Sequence, residues 1–196
     1  MAIPFSKEVG CVRADGVRNR SRVLEAATAA FAAEGLSVPV AEIARRAGVG
    51  TGTVSRHFPT KEGLYEAIVL ERVEDLVARA DELRATVEPA AAFFGYLAYL
   101  ADVAAAHRGL AEALAGAGFD VGAAAARGGH DLEGVEAALL AGAQAAGAVR
   151  PDVTPADVKA LIVACVAREA AGTDPAGRRR VVEIITAGLR ALDNNS

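Results

Sequence analysis

Residues 41–65 read AEIARRAGVGTGTVSRHFPTKEGLY, and the spacing inside this stretch decides the fold. Val40, Ile43, Ala44 and Ala47 recur at the helical period and stop at Gly48, a residue that readily takes the left-handed conformation ending a helix. Pro39 suits a first helical turn and pushes the residue before it out of the helical region, so this helix is expected to begin at Val38 or Pro39. A second short helix is expected from about Gly50 to His57, anchored by Val49, Val54 and Phe58. Its other residues, Thr51, Gly52, Thr53, Ser55, Arg56 and His57, are small, polar or basic. Two short helices joined by the tight turn Ala47-Gly48-Val49-Gly50 are the sequence form of a helix-turn-helix.

Working outward, Val23, Ala27, Ala30 and Phe31 form one face of a preceding helix that starts near Arg18 and ends at Gly35. Residues 1–16 show no periodicity and are expected to be a flexible tail. On the other side, Thr60 caps a long helix in which Leu64, Ile68, Val73, Leu76, Ala80, Leu83 and Val87 keep mostly three- and four-residue steps. After Pro89 comes a helix apolar nearly all round, with Phe93, Phe94, Tyr96, Leu97, Tyr99, Leu100 and Val103. That pattern marks a buried central helix, which the small basic module cannot cover alone. A short helix from Leu110 to Ala115, a Gly-rich segment from Gly116 to Gly129 and a helix from about Leu132 to Ala146 follow. Thr154-Pro155 and Asp174-Pro175 open the last two helices. Val158, Leu161, Ile162 and Cys165 make a stripe on the first of these; Val181, Ile184, Ile185, Leu189 and Leu192 make one on the second. The expected fold class is all-α: an N-terminal three-helix helix-turn-helix domain (17–60), a linking helix (61–86) and a C-terminal helical bundle (87–196).

Charge divides the chain in the same place. Residues 1–61 hold nine Lys or Arg against five Asp or Glu, whereas residues 62–196 hold twelve against twenty. A basic N-terminal module beside an acidic remainder points to an anionic partner for the module alone. The longest apolar stretch, Pro89 to Ala101, falls short of the roughly 20 residues of a membrane span. The first residues lack the basic-then-apolar pattern of a secretory signal, so a cytoplasmic location is expected. Cys11 and Cys165 have no partner at metal-ligand spacing and are expected to be thiols; neither a metal nor a cofactor is expected. A helical enzyme is the rival from another class, resting on His107, His130, Asp131, Glu133 and the Gly-rich segment. No histidine pair has zinc spacing, no strand precedes the glycines and no nucleophile sits beside a base, so no enzyme is expected.

The stretch 41–65, with the preceding helix carrying Phe31 and Gly35, resembles the DNA-binding signature of the TetR (tetracycline repressor) family. The resemblance implies a transcriptional regulator that binds double-stranded DNA at a near-palindromic operator, with a larger helical domain that dimerises and usually binds a small molecule. A repressor released by such a ligand is the expectation; a DNA-binding regulator without a ligand is the alternative. Thr51, Gly52, Thr53, Ser55 and Arg56 are the candidates for the major groove, being short, hydrogen-bonding or two-pronged. His57 and Lys61, matched to the motif, look like phosphate contacts. Val38 and Pro39 stand where members often have Thr or Ser opening the second helix, which makes Ser37 the substitute phosphate contact; Ser55 stands where an aromatic is common. Arg45 and Arg46 read as a solvated helix face. Phe93, Phe94, Tyr96, Tyr99 and Phe119 are candidates to line a ligand site, with plain core as their alternative. Val158, Leu161, Ile162, Cys165, Val181, Ile184, Ile185 and Leu189 are the expected homodimer interface, testable by charge at Leu161 or Ile185.

Overall fold

A computed structural model describes residues 8–167 and 174–191. Ten α-helices run through them, and no strand occurs among the described residues apart from one isolated bridge between Val149 and Arg190. The chain divides into two compact units.

The first unit takes residues 1–70 and 109–124. In it lie α1 (Glu8–Glu34), α2 (Val40–Ala47), α3 (Thr51–His57) and the start of α4 (Lys61–Thr86). Val23, Leu24, Ala27, Ala30 and Phe31 are buried on α1, Ile43, Ala44 and Ala47 on α2, and Val54 on α3. Gly48 ends α2 at φ 63°, and its N–H donates to the carbonyls of Ala44 and Arg45. Thr60 accepts from the Gly63 N–H at 3.0 Å, which caps α4 as its sequence position suggests.

Two differences from the sequence expectation have physical causes. The first helix reaches back to Glu8, ten residues before Arg18, so residues 8–16 of the expected tail are helical; residues 1–7 lie outside the described residues. Gly10 and Gly16 cost roughly 1 kcal/mol each in a helix, but with no proline between Glu8 and Glu34 an established helix propagates through them. The start of α6 (Arg108–Gly116) belongs with the first unit from Gly109 onward, not with the bundle. A Cβ at Gly109 would lie 2.5 Å from the Ala32 carbonyl oxygen, so the bare glycine lets α6 meet the backbone of α1.

The second unit takes residues 71–108 and 125–196. Its core surrounds α5 (Pro89–Ala106), where Ala92, Phe93, Tyr96, Leu97 and Ala101 are buried. Leu139, Leu140 and Ala143 of α8 (Leu132–Ala145), Ile162 and Cys165 of α9 (Pro155–Ala167) and Leu189 of α10 (Pro175–Leu189) share that core. At 18 residues α5 is long and apolar enough by composition to cross a membrane, because it runs past Asp102 to Ala106. Its buried face against three other helices is that of a core helix. The Gly-rich segment contains α7 (Val121–Arg127), divided between the units after Ala124, since its alanines are strong helix formers and Asp120 accepts from the Ala123 N–H at 2.8 Å. Asp131 and Asp174 cap α8 and α10 by accepting from the Gly134 and Gly177 N–H groups at 2.9 and 2.8 Å.

Candidate nucleic-acid interface

Helix α3 turns one face inward and the rest outward. Val54 and, just past its end, Phe58 are buried, while Thr51, Gly52, Ser55, Arg56 and His57 are exposed and Thr53 is half-buried. No side chain caps α2 or α3, so the exposed Ser37 hydroxyl does not serve as an N-cap for α2. Six predicted DNA-contacting residues thus lie on a seven-residue helix, with no bulky side chain on its outward face before Arg56.

Lys61 is committed more tightly than its sequence position discloses. Its ammonium donates to the carbonyl oxygens of Leu36 at 3.1 Å and Ser37 at 3.3 Å, and the Tyr65 hydroxyl donates to the same Leu36 oxygen at 3.0 Å. These bonds tie the start of α4 to the turn between α1 and α2. An ammonium carries three donors, so Lys61 keeps one for a phosphate.

Arg45 and Arg46 both donate to the Glu42 carboxylate, and Arg46 also pairs with Glu34 at 2.6 Å. The hydrogen bonds from Arg45 and then Arg46 hold the Glu42 carboxyl down to about 2, so the cluster stays ionised and paired at neutral pH. The sequence suggested a solvated helix face for these two arginines; the carboxylates that neutralise it appear only in the structure.

In the second unit, the aromatic candidates divide by environment. Phe93 and Tyr96 are buried in the core; Phe94 and Tyr99 are partly buried and lie under the guanidinium groups of Arg190 and Arg79, at 5.0 and 5.9 Å from the ring centroids. Phe119 belongs to the first unit and is not part of this cluster. The Tyr96 hydroxyl donates to Glu136 Oε1 at 3.2 Å. Burial, reinforced by the Glu136 charge, pushes the Tyr96 phenol far up, so it stays a donor. Periodicity within α5 gave no sign of Glu136, because the partner lies 40 residues away on α8.

Burial also raises the Glu136 carboxyl above its ordinary 4.5, outweighing the Tyr96 hydrogen bond and Lys159. A raised folded-state value means that this group's contribution to stability is complete below about 4.5 and is lost as pH rises through the folded value. Glu136→Gln keeps an acceptor for Tyr96 without the charge. It is expected to raise the melting temperature relative to wild type more at pH 7 than at pH 4; an equal difference at both would contradict the burial account.

The expected dimer residues also divide. Ile162, Cys165 and Leu189 are buried by their own chain, and Val158, Leu161, Val181 and Ile185 pack partly buried against the same core. These seven are therefore covered, wholly or in part, without a partner. Ile184 alone of the eight is exposed, at 65 %, and Val163 on α9, which the stripes passed over, is exposed at 62 %. Because α9 is apolar nearly all round, spacing does not separate its inward face from its outward one. Leu192 lies outside the described residues.

Comparison with known proteins matches both units. Residues 23–68 match the family described as bacterial regulatory proteins, tetR family, and residues 88–191 match the SbtR-like C-terminal domain of transcriptional regulators. A TetR transcription regulatory protein from Mycobacterium vanbaalenii is 46% identical, with 92% of this chain and 99% of that one covered and a TM-score of 0.67. A TetR transcriptional regulator from Streptomyces coelicolor is 32% identical over 88% of this chain and 98% of its own, also at a TM-score of 0.67. FadR of Bacillus subtilis, solved in complex with stearoyl-CoA, shares the fold at 16% identity, covering 87% of this chain and 99% of its own with a TM-score of 0.68. With a helix-turn-helix whose outward face is small, polar and basic, and with family matches across both units, the chain belongs to the TetR family of transcriptional regulators.

Proposed function

We propose that this regulator is a repressor that binds a near-palindromic operator as a homodimer and is released by a small-molecule effector held in its second unit. The observation that carries the reading is α3, whose exposed Thr51, Gly52, Ser55, Arg56 and His57 are presented on a helix anchored by Val54 and Phe58. Short side chains let the backbone approach base edges, Thr53 and Ser55 hydrogen-bond them, and Arg56 reaches a guanine edge with two donors. His57, Lys61 and Ser37 position the module on phosphates, which carry affinity but little sequence information. One such module reads only a few base pairs. A two-fold dimer sets two recognition helices about 34 Å or a multiple apart, which makes the operator palindromic.

Effector control follows from linkage: a ligand that favours a conformation with wrongly spaced recognition helices weakens DNA binding by the factor that DNA weakens ligand binding. Phe93, Phe94, Tyr96 and Tyr99 supply apolar surface on α5 for such a ligand, and Glu136 with Tyr96 supplies the polar anchor among them. Fold likeness to a regulator solved with an acyl-CoA supports control by a ligand and leaves its chemistry open.

The test is selection of bound sequences from random duplex DNA, followed by competition binding at several salt concentrations. A palindrome with half-sites about one helical turn apart or a multiple is expected, with affinity falling steeply as salt rises. Thr53→Ala and Arg56→Ala are expected to change base preference within each half-site, whereas Lys61→Ala weakens operator and scrambled duplex alike. Absence of any enriched sequence and of any salt dependence in the wild-type protein would refute the reading.

A further inference from the structure

The sequence motif assigns DNA contacts from Ser37 to Lys61, yet two of the first unit's available cations lie before it. A cation drives binding by counterion release only if no carboxylate already neutralises it. Arg18 pairs with Asp15, and Arg45 and Arg46 are taken up by Glu42 and Glu34. Among the described residues Arg20 and Arg22 have no carboxylate partner. Both are exposed, near the middle of α1.

Their guanidinium groups are nevertheless placed. The Arg20 group sits 5.7 Å from the centroid of the Phe58 ring, the residue that closes α3. The Arg22 group lies over Gly48, in the turn that leads into α3: a Cβ built there would come within 2.6 Å of Nη2. Gly48 is therefore bare for two reasons, its left-handed backbone and the guanidinium above it. The two cations thus stand near the two ends of a helix that is about 10 Å long. A major groove is about 12 Å wide and bordered by phosphates, so long cationic side chains held beside a helix seated in it are within reach of the bordering strands.

We propose that Arg20 and Arg22 are phosphate contacts that bracket the recognition helix, making the middle of α1 a third DNA-contacting element. This rests on the reading of α3 as the groove-entering helix. They add affinity and fix the docking angle without reading sequence, since each meets backbone and not base.

The experiment measures binding of the full-length protein to its selected operator and to a scrambled duplex between 50 and 300 mM salt. Arg20→Ala and Arg22→Ala are each expected to lower the slope of log affinity against log salt by about 0.9 per recognition helix and to weaken both duplexes by the same factor. Arg20→Lys and Arg22→Lys are expected to keep the slope, and Arg18→Ala, which removes a paired charge, to leave it at the wild-type value. Far-ultraviolet circular dichroism confirms that each variant is folded. Should Arg20→Ala unfold by losing its contact with Phe58, Arg22→Ala and Arg20→Lys still decide. Wild-type slopes in folded alanine variants would overturn the proposal while leaving α3 as the reader. A shift in base preference with an unchanged slope would overturn it as well. A wild-type protein without salt dependence would overturn both readings.

Discussion

Val163→Glu combined with Ile184→Glu is expected to leave the protein monomeric in sedimentation and to cut operator affinity by about 100-fold or more, because two linked modules bind far more tightly than one. Val163 on α9 and Ile184 on α10 are large apolar side chains exposed at 62 and 65 %. Around them Ala160, Ala164, Ala167, Ala187 and Gly188 are exposed too, and a Cβ at Gly188 would meet nothing within 4 Å. Such a surface of small residues with two apolar projections lets a second copy of the same helix pair approach closely. Burying an unpaired carboxylate there costs several kcal/mol, enough to dissociate a dimer at micromolar concentration. Both positions point away from the chain's own core, so the monomer should keep its circular dichroism spectrum. Leu161 and Ile185, which spacing alone selects for this test, pack against the core and would confound dissociation with unfolding. A variant that stays dimeric places the two-fold contact on another surface.

Phe31→Ala is expected to destabilise the first unit by about 3–5 kcal/mol and to abolish specific DNA binding at 37 °C. Phe31 is fully buried on α1 and meets Tyr65 of α4 edge to face, with ring centroids 5.0 Å apart at 76°. That pair adds about 0.5–1.5 kcal/mol beyond its buried area. Tyr65 in turn holds the Leu36 carbonyl that Lys61 also binds, so loss of the ring loosens the turn that sets α2 against α1. A small helical unit of this size has only a few kcal/mol to spare. Thermal melting followed with a probe in the first unit measures the loss; a change below about 1 kcal/mol would mean the cavity collapses around the site.

The helix-turn-helix was legible because its determinants are local. Gly48 appears as a left-handed C-cap and Val54 and Phe58 as inward anchors, each from spacing within a dozen residues. The all-helical class was legible for the same reason: apolar residues recur every three or four positions through most of the chain from Arg18 on. Local pattern also carried the caps at Thr60 and Asp174, where the side chain accepts from an N–H three residues on.

The set of helices and the face that α3 offers to solvent are consequences of period and short-range hydrogen bonding, and both were legible in the chain. Which cations are available emerges only once the chain is folded, since Arg46 is neutralised by Glu34 on another helix while Arg20 lies against Phe58 and Arg22 over Gly48. Only folding joined Tyr96 to Glu136 and α6 to the backbone of α1 at Gly109. It alone separated the covered stripe of α9 and α10 from the outward Val163 and Ile184. Each of these depends on which residues distant in the chain meet in space, and periodicity along one helix holds no information about the surface that faces it.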